Sequence, residues 1–215
     1  MAEAPTQHPH NAHTLPLFPL GTAVFPGSLL PLQIFELRYL QMIGECERQG
    51  THFGVVTLTR GGEVHQPGGT TEQFEPVGTR MRLEKIVRPR PGLLHIWCRA
   101  LDSFEVLHTQ QRSDGLWLGE VRDLAPEPSL AVPDHLRYLS DQMVDALQRL
   151  QDPDMAPEPW PQPWPVDDCA WLSQRWAELL PLPTAMKYRL LALREPLIRL
   201  ELIGDMVSSP PVPDR

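Results

Sequence analysis

The apolar residues of the chain first cluster in two short runs, residues 15–20 and residues 29–34. Each run is too short for a typical helix and is bounded by turn residues, and Phe25-Pro26-Gly27 lies between them. This pattern predicts two β-strands separated by a turn, because proline fixes φ and glycine admits positive φ. Pro31 lacks an amide donor, so the second strand is expected at a sheet edge or a bulge. Leu32 and Phe35 are expected to be core residues, whose replacement with alanine would cost about 2–5 kcal/mol.

From Glu36 the apolar residues recur at helical spacing, and Gly50 offers a stop, so a helix is predicted next. The pattern then returns to short apolar or alternating runs, which predicts further strands. A loss of phase at Ile86 and Val87 predicts a bulge or bend in one of them. Several short strands with tight turns favour a sheet rolled toward a barrel. The predicted strands cover residues 53–59, 77–88, 94–100, 104–108 and 116–124.

The last third of the chain has helical spacing and many prolines. Apolar stripes predict helices over residues 136–150, 168–180, 184–193 and 196–207. Asp134 and Thr184 are expected to cap two of these helices, and Asp167 and Asp168 are expected at the start of another, because carboxylates favour a helix N-terminus. Residues 159–165 read Pro-Trp-Pro-Gln-Pro-Trp-Pro, which excludes a helix or a central strand. With strands first and helices last, the predicted fold class is α+β.

Composition and charge narrow the function. The chain has 215 residues and a net charge of −8, so it carries no overall basic character for binding nucleic acid. No apolar run is long enough to span a bilayer, which predicts no membrane partner. Three widely spaced cysteines, Cys46, Cys98 and Cys169, suit reduced thiols, and we expect a cytoplasmic location.

The chemical candidates in the sequence favour structure over catalysis. His8, His10 and His13 lie in a polar stretch, residues 1–14, which is predicted to be a disordered tail rather than a metal site. Glycine pairs in residues 60–71 lack the Gly-Lys-Ser/Thr of a phosphate loop. Glu36 and Arg38 are interpreted as structural residues and not as catalytic ones. The carboxylate of Glu36 is expected to pair with an arginine of the barrel, Arg80 or Arg82. No cofactor, metal or catalytic residue is predicted.

Three motifs in the first forty residues resemble the opening of the Lon protease N-terminal domain family: LPLFPLG, VFPG and LPLQIFELRY. Residues 53–56 and 77–86 and the helical last third are similar to later parts of that family. The resemblance implies a PUA-like six-stranded pseudo-barrel with one helix at residues 15–125, followed by a helical bundle at residues 134–208. It also implies a stand-alone, non-catalytic module that recognises unfolded polypeptide or a protein partner.

The predicted binding residues are apolar. Trp160 and Trp164 are candidates because exposed aromatic residues are enriched at binding hot spots. The alternative is a structural role, in which the segment is a stiff connector and both tryptophans cover the helical bundle. Phe25 and Leu30 are added as candidates for an apolar groove on the barrel. Two other functions stay open: a PUA-like RNA-binding protein and an uncharacterised hydrolase. The oligomeric state is open. An RNA-binding groove would use Arg80, Arg82, Arg88, Arg90 and Arg99.

Overall fold

The computed structural model describes residues 12–62, 71–150 and 158–208. Six strands and one helix come first, and four helices with a short 3₁₀ turn follow. The elements are β1 (His13–Leu20), β2 (Leu29–Ile34), α1 (Leu37–Gln49), β3 (Phe53–Arg60), β4 (Gln73–Arg90), β5 (Leu93–Gln111), β6 (Trp117–Asp123), the 3₁₀ turn (Asp134–Leu136), α2 (Arg137–Leu150), α3 (Cys169–Leu179), α4 (Thr184–Ala192) and α5 (Pro196–Ser208). The predicted α+β class, with six strands followed by helices, is confirmed.

The six strands form one sheet in the order β2-β5-β4-β3-β1-β6. A further pairing between β5 and β6 closes β5, β4, β3, β1 and β6 into a pseudo-barrel. β2 pairs with β5 alone among the described strands, so its outer edge has no strand partner there. The edge position predicted from Pro31 is therefore confirmed, and the missing amide of a proline is tolerated there.

β5 is one strand of 19 residues, where the sequence pattern predicts two shorter strands. Its first half pairs with β2, as in Leu30 opposite Cys98, and its second half pairs with β6, as in Val106 opposite Val121. Hydrophobic alternation falters where the neighbouring strand changes, because the buried face changes there as well. The prediction of two separate strands is wrong for that reason.

A bulge in β4 lies close to the predicted irregularity. The register with β5 shifts between Leu83 and Lys85 and again between Val87 and Arg90. One extra residue inverts the alternation of faces, so Ile86 packs against the same core as Met81. The blurred phase near Ile86 thus marks a true change in strand geometry.

Helix α1 packs against the core of the barrel. Its buried stripe contains Tyr39, Met42, Ile43 and Cys46, at the spacing of one helical face, and packs on inward-facing residues of the strands. The helix ends at Gly50, whose φ of 64° is the left-handed conformation that glycine adopts without strain. Sequence pattern, stop signal and core therefore agree for this element.

The helical part has its own core, made by α2, α3 and α5. Asp168 caps α3 as predicted, because its carboxylate accepts a hydrogen bond from the amide of Trp171 at 2.9 Å. The caps predicted at Asp134 and Thr184 are not formed. The carboxylate of Asp134 accepts a bond from Arg137, and the hydroxyl of Thr184 donates to the carbonyl of Gly21.

The barrel and the helices share a core at their junction. Phe25, from the turn before β2, is 1% exposed and packs with Leu190, Leu191 and Ile203 of the helices. The buried guanidinium of Arg175 donates to the carbonyl of Pro26 across the same junction. The turn before β2 therefore joins the two parts.

The first strand begins earlier than the sequence pattern indicates. β1 starts at His13, inside the predicted tail, and its residues 13–17 pair with residues 117–121 of β6. Backbone pairing rather than apolar side chains holds these first residues in the strand. The other two histidines of the predicted tail, His8 and His10, lie outside the described residues.

Candidate functional site

Two of the most exposed large apolar side chains lie at the corner between β2 and α1. Phe35 is 53% exposed and Leu37 is 70% exposed. The sequence pattern places Phe35 in the core, and that expectation is wrong. Phe35 lies one residue beyond Ile34, the last buried position of β2, and therefore points to the opposite face.

Three partly buried leucines lie on the same two elements as this corner. Leu30 and Leu32 face the barrel core from the edge strand β2, on the side of the strand opposite to Phe35. Leu40 lies three residues after Leu37, on the same side of α1, and is also partly buried. We call this set the β2–α1 surface: Leu30, Leu32, Phe35, Leu37 and Leu40.

A buried ion-pair network anchors the N-terminus of α1 beneath the corner. The guanidinium of Arg38 donates to the Glu72 carboxylate at 2.9 Å, to the Gly115 carbonyl at 2.9 Å and to the Glu36 carboxylate at 3.2 Å. Trp117 donates its indole N–H to the second oxygen of Glu72 at 2.8 Å. Both Arg38 and Glu72 are buried, so the network cross-links three chain segments and fixes the corner.

The predicted pairing of Glu36 with a barrel arginine is wrong. Its partner is Arg38, two residues away, because Glu36 is the N-cap residue of α1 and Arg38 lies in the first turn. Arg80 pairs with Asp123 and Arg82 with Glu84 instead. Sequence spacing alone did not indicate that Arg38 would be buried among carboxylates.

The outer edge of β2 offers backbone groups next to the apolar surface. Ala100 donates its amide to the carbonyl of Ser28, so Ser28 and the alternate residues after it bond toward β5. Leu29, Pro31 and Gln33 then direct their backbone groups outward. Pro31 provides no donor there, which interrupts any long ladder on this edge.

The predicted anchors Trp160 and Trp164 are half-buried against the helical core. The indole N–H of Trp164 donates to the carbonyl of Trp160 at 2.7 Å. Arg99 of β5 donates to the carbonyls of Glu158 and Pro159, which fixes this segment to the barrel. These contacts describe a packed connector between barrel and helices.

Phe25 and Leu30, the other predicted binding residues, have different places. Phe25 is enclosed in the junction core and presents no surface to a partner, because it packs between the barrel turn and the helices. It is withdrawn as a binding residue. Leu30 belongs to the β2–α1 surface and stays a candidate. Leu37 was not predicted as a binding residue. Its helical position lies outside the buried apolar face of α1, so the sequence spacing could have predicted its exposure.

Replacing Trp160 and Trp164 together with alanine is expected to lower the free energy of unfolding by about 2 kcal/mol, since both rings are only partly buried. Polypeptide binding per folded molecule should be retained. Urea unfolding and a binding titration of the same preparation measure the two quantities. If the variant keeps the free energy of unfolding of the unmodified protein but no longer binds polypeptide, both tryptophans take part in recognition.

The arginines of the predicted RNA groove are largely committed to carboxylates. Besides the pairs of Arg80 and Arg82, the guanidinium of Arg99 is paired with Glu84, and that of Arg88 with Glu47. Arg82 and Arg99 share the carboxylate of Glu84, so three carboxylates offset part of the positive charge of these arginines and weaken its attraction for phosphate. This pairing disfavours the RNA-binding alternative.

The cysteines are free and buried, which agrees with the expectation of reduced thiols. Burial raises the pKa of the Cys98 thiol to about 12, and burial also raises the pKa of Cys46 and of Cys169. A thiol with a raised pKa is a poor nucleophile. The cysteines therefore give no support to the hydrolase alternative.

Among the described residues, no helix is long and apolar enough to cross a membrane.

Two solved structures show that the fold is that of Lon N-terminal domains. The structure resembles the crystal structure of a Lon N-terminal domain protein from Xanthomonas campestris, with a TM-score of 0.70, 28% identity, and coverage of 92% of this chain and 99% of that one. It also shares the fold of the N-terminal domain of the Mycobacterium avium complex Lon protease, with a TM-score of 0.59, 15% identity, and coverage of 92% and 99%.

The chain belongs to the family of the ATP-dependent protease La (LON) substrate-binding domain, whose family model matches residues 14–209. A Lon protease from Anaeromyxobacter dehalogenans is 32% identical over 100 residues. That match spans 46% of this chain and 12% of the relative. The chain thus corresponds to a small part of that protease.

Proposed function

We propose that this chain is a non-catalytic binding module that holds exposed apolar segments of polypeptide on the β2–α1 surface. The observation that carries the proposal is the pair Phe35 and Leu37, held open to solvent on the Arg38 network. Exposed apolar side chains on a rigid base are what a binding surface needs, because little conformational entropy is lost when they are covered. The family's description as a substrate-binding domain supports the same conclusion.

The occupant is a short apolar stretch of an unfolded or partly unfolded protein. Such a stretch has uncovered apolar side chains for the β2–α1 surface and unpaired backbone groups for the outer edge of β2. Pro31 removes one donor from that edge, so a bound segment gains few backbone bonds. Apolar burial at Phe35 and Leu37 therefore supplies most of the affinity, and the binding is weak and tolerant of sequence.

Replacing Phe35 and Leu37 together with serine is expected to weaken binding of a labelled apolar peptide by about 2 kcal/mol, or roughly thirtyfold. Fluorescence anisotropy of the labelled peptide measures the change. The free energy of unfolding should change little, since both side chains are exposed in the native state. The matched control replaces Ile198 and Leu202 of α5, which are 49% and 42% exposed, and should bind as the unmodified protein does.

Salt separates this function from the RNA alternative. Apolar binding should be nearly unchanged between low and moderate salt, whereas binding through phosphate contacts falls steeply. The peptide and a single-stranded RNA of similar length are titrated at two salt concentrations. If RNA binds more tightly than the peptide and its affinity falls with salt, the RNA-binding alternative is correct instead. If the α5 control loses as much peptide affinity as the Phe35 and Leu37 variant, the β2–α1 surface is not the binding site.

A further inference from the structure

A cavity lies between the barrel and the helices, and no residue of the β2–α1 surface lines it. Its volume is about 320 Å³, and its wall combines the turn before β2, the end of β6 and the start of α3. A cavity of this size at a junction holds one side chain or a small molecule. The polar residues that line it are Asp102, Ser103, Glu127, Asp168, Gln174 and Arg194, and Trp171 lines it as well.

One wall atom lacks the partner that its burial demands. Ser103 is 5% exposed, and its hydroxyl oxygen makes no hydrogen bond within the described part of the chain. Buried polar side chains almost always form hydrogen bonds, because burial removes their hydrogen bonds to water and an unpaired group does not replace them. The hydroxyl of Ser103 lies in the cavity wall, where a bound group can satisfy it.

The charges of the wall leave a negative remainder. Glu127 is neutralised by the buried guanidinium of Arg199 and by Arg194, which also donates to the carbonyl of Ala125. Asp102 is exposed and forms no ion pair with any described residue, and Asp168 accepts hydrogen bonds without a cationic partner there. The carboxylates of Asp102, Glu127 and Asp168 outnumber the guanidinium groups of Arg194 and Arg199 by one, so a net charge of −1 remains to attract a cation, and the net charge of −8 of the whole chain adds to that attraction.

We infer that this cavity receives a basic side chain, a guanidinium above all, from a polypeptide. The planar group donates to the carboxylate of Asp102 and to the hydroxyl oxygen of Ser103, which has no other partner among the described residues. The claim rests on the proposed function only in assigning the guanidinium to a polypeptide. The cation site itself is independent of the β2–α1 surface.

The probes are acetyl-arginine amide and acetyl-citrulline amide, which have nearly the same shape but differ in charge. Titration of the full chain, followed by the indole resonances, should show the arginine probe binding about tenfold or more tightly than the citrulline probe. Asp102→Asn should reduce that preference to near unity. Asp141→Asn, an exposed carboxylate on α2, should leave it unchanged.

Two further variants keep the outcomes separate. Ser103→Ala should weaken arginine binding severalfold without lowering the unfolding midpoint, because the hydroxyl has no partner to lose. The Phe35 and Leu37 double variant should still bind the arginine probe, even when it has lost peptide binding. Equal affinity for the two probes, or an Asp102→Asn variant with unchanged preference, would overturn the cation site and leave the proposed function standing.

Discussion

Replacing Arg38 with methionine should lower the free energy of unfolding by about 3–5 kcal/mol, the usual cost of removing one partner from a buried ion pair. The substitution keeps much of the volume but removes the guanidinium that pairs with the buried carboxylate of Glu72 at 2.9 Å. It also removes the donor to the carbonyl of Gly115. Urea unfolding followed by fluorescence measures the loss.

The control for Arg38 is another arginine in an ion pair. Arg137 pairs with Asp134 on the surface, with side chains 64% and 95% exposed, and Arg137→Met should cost about 0.5 kcal/mol or less. Adding Glu72→Gln to Arg38→Met should restore part of the stability, since a neutral amide still accepts from Trp117. An Arg38→Met variant as stable as the Arg137→Met control would show that the network does not hold the corner.

Replacing Gly78 with alanine is expected to destabilise the barrel by about 3 kcal/mol, at the upper end of overpacking costs. A Cβ at Gly78 would lie 2.5 Å from the backbone carbonyl oxygen of Val55 and 2.6 Å from the ring of Phe104. The strand backbone cannot move aside, because Gly78 is paired on both sides, with Val56 in β3 and Phe104 in β5.

The same substitution at Gly44 should have the opposite sign. Gly44 lies inside α1, and a Cβ there meets nothing within 4 Å. Alanine should raise the free energy of unfolding by about 0.5–1 kcal/mol, because the unfolded chain loses conformational freedom and the helix gains propensity. Similar effects at the two glycines would contradict the strand packing described for β4.

Sequence pattern was sufficient where one physical signal dominates. The stripe of α1, its stop at Gly50 and the edge position of β2 each follow from a single rule of periodicity or hydrogen bonding. The Asp168 cap follows likewise from the carboxylate before a helical run. These features need only local sequence to be predicted.

Other features depend on contacts between distant segments. The burial of Arg38 requires Glu72 and Gly115, which lie 34 and 77 residues away, and no local pattern brings them together. Thr184 bonds to Gly21 rather than to its own helix for a similar reason. The exposure of Phe35 was mispredicted because an apolar residue beside a core strand was assigned to the core without regard to its face.

Methyl resonances test directly whether polypeptide is held at the β2–α1 surface. A protein with labelled leucine and isoleucine methyl groups is titrated with an unfolded apolar peptide. The largest shifts should occur at Leu30, Leu32, Leu37 and Leu40, while Ile198 and Leu202 of α5 stay unchanged. Shifts confined to α5 or to residues packed against Trp160 and Trp164 would contradict it.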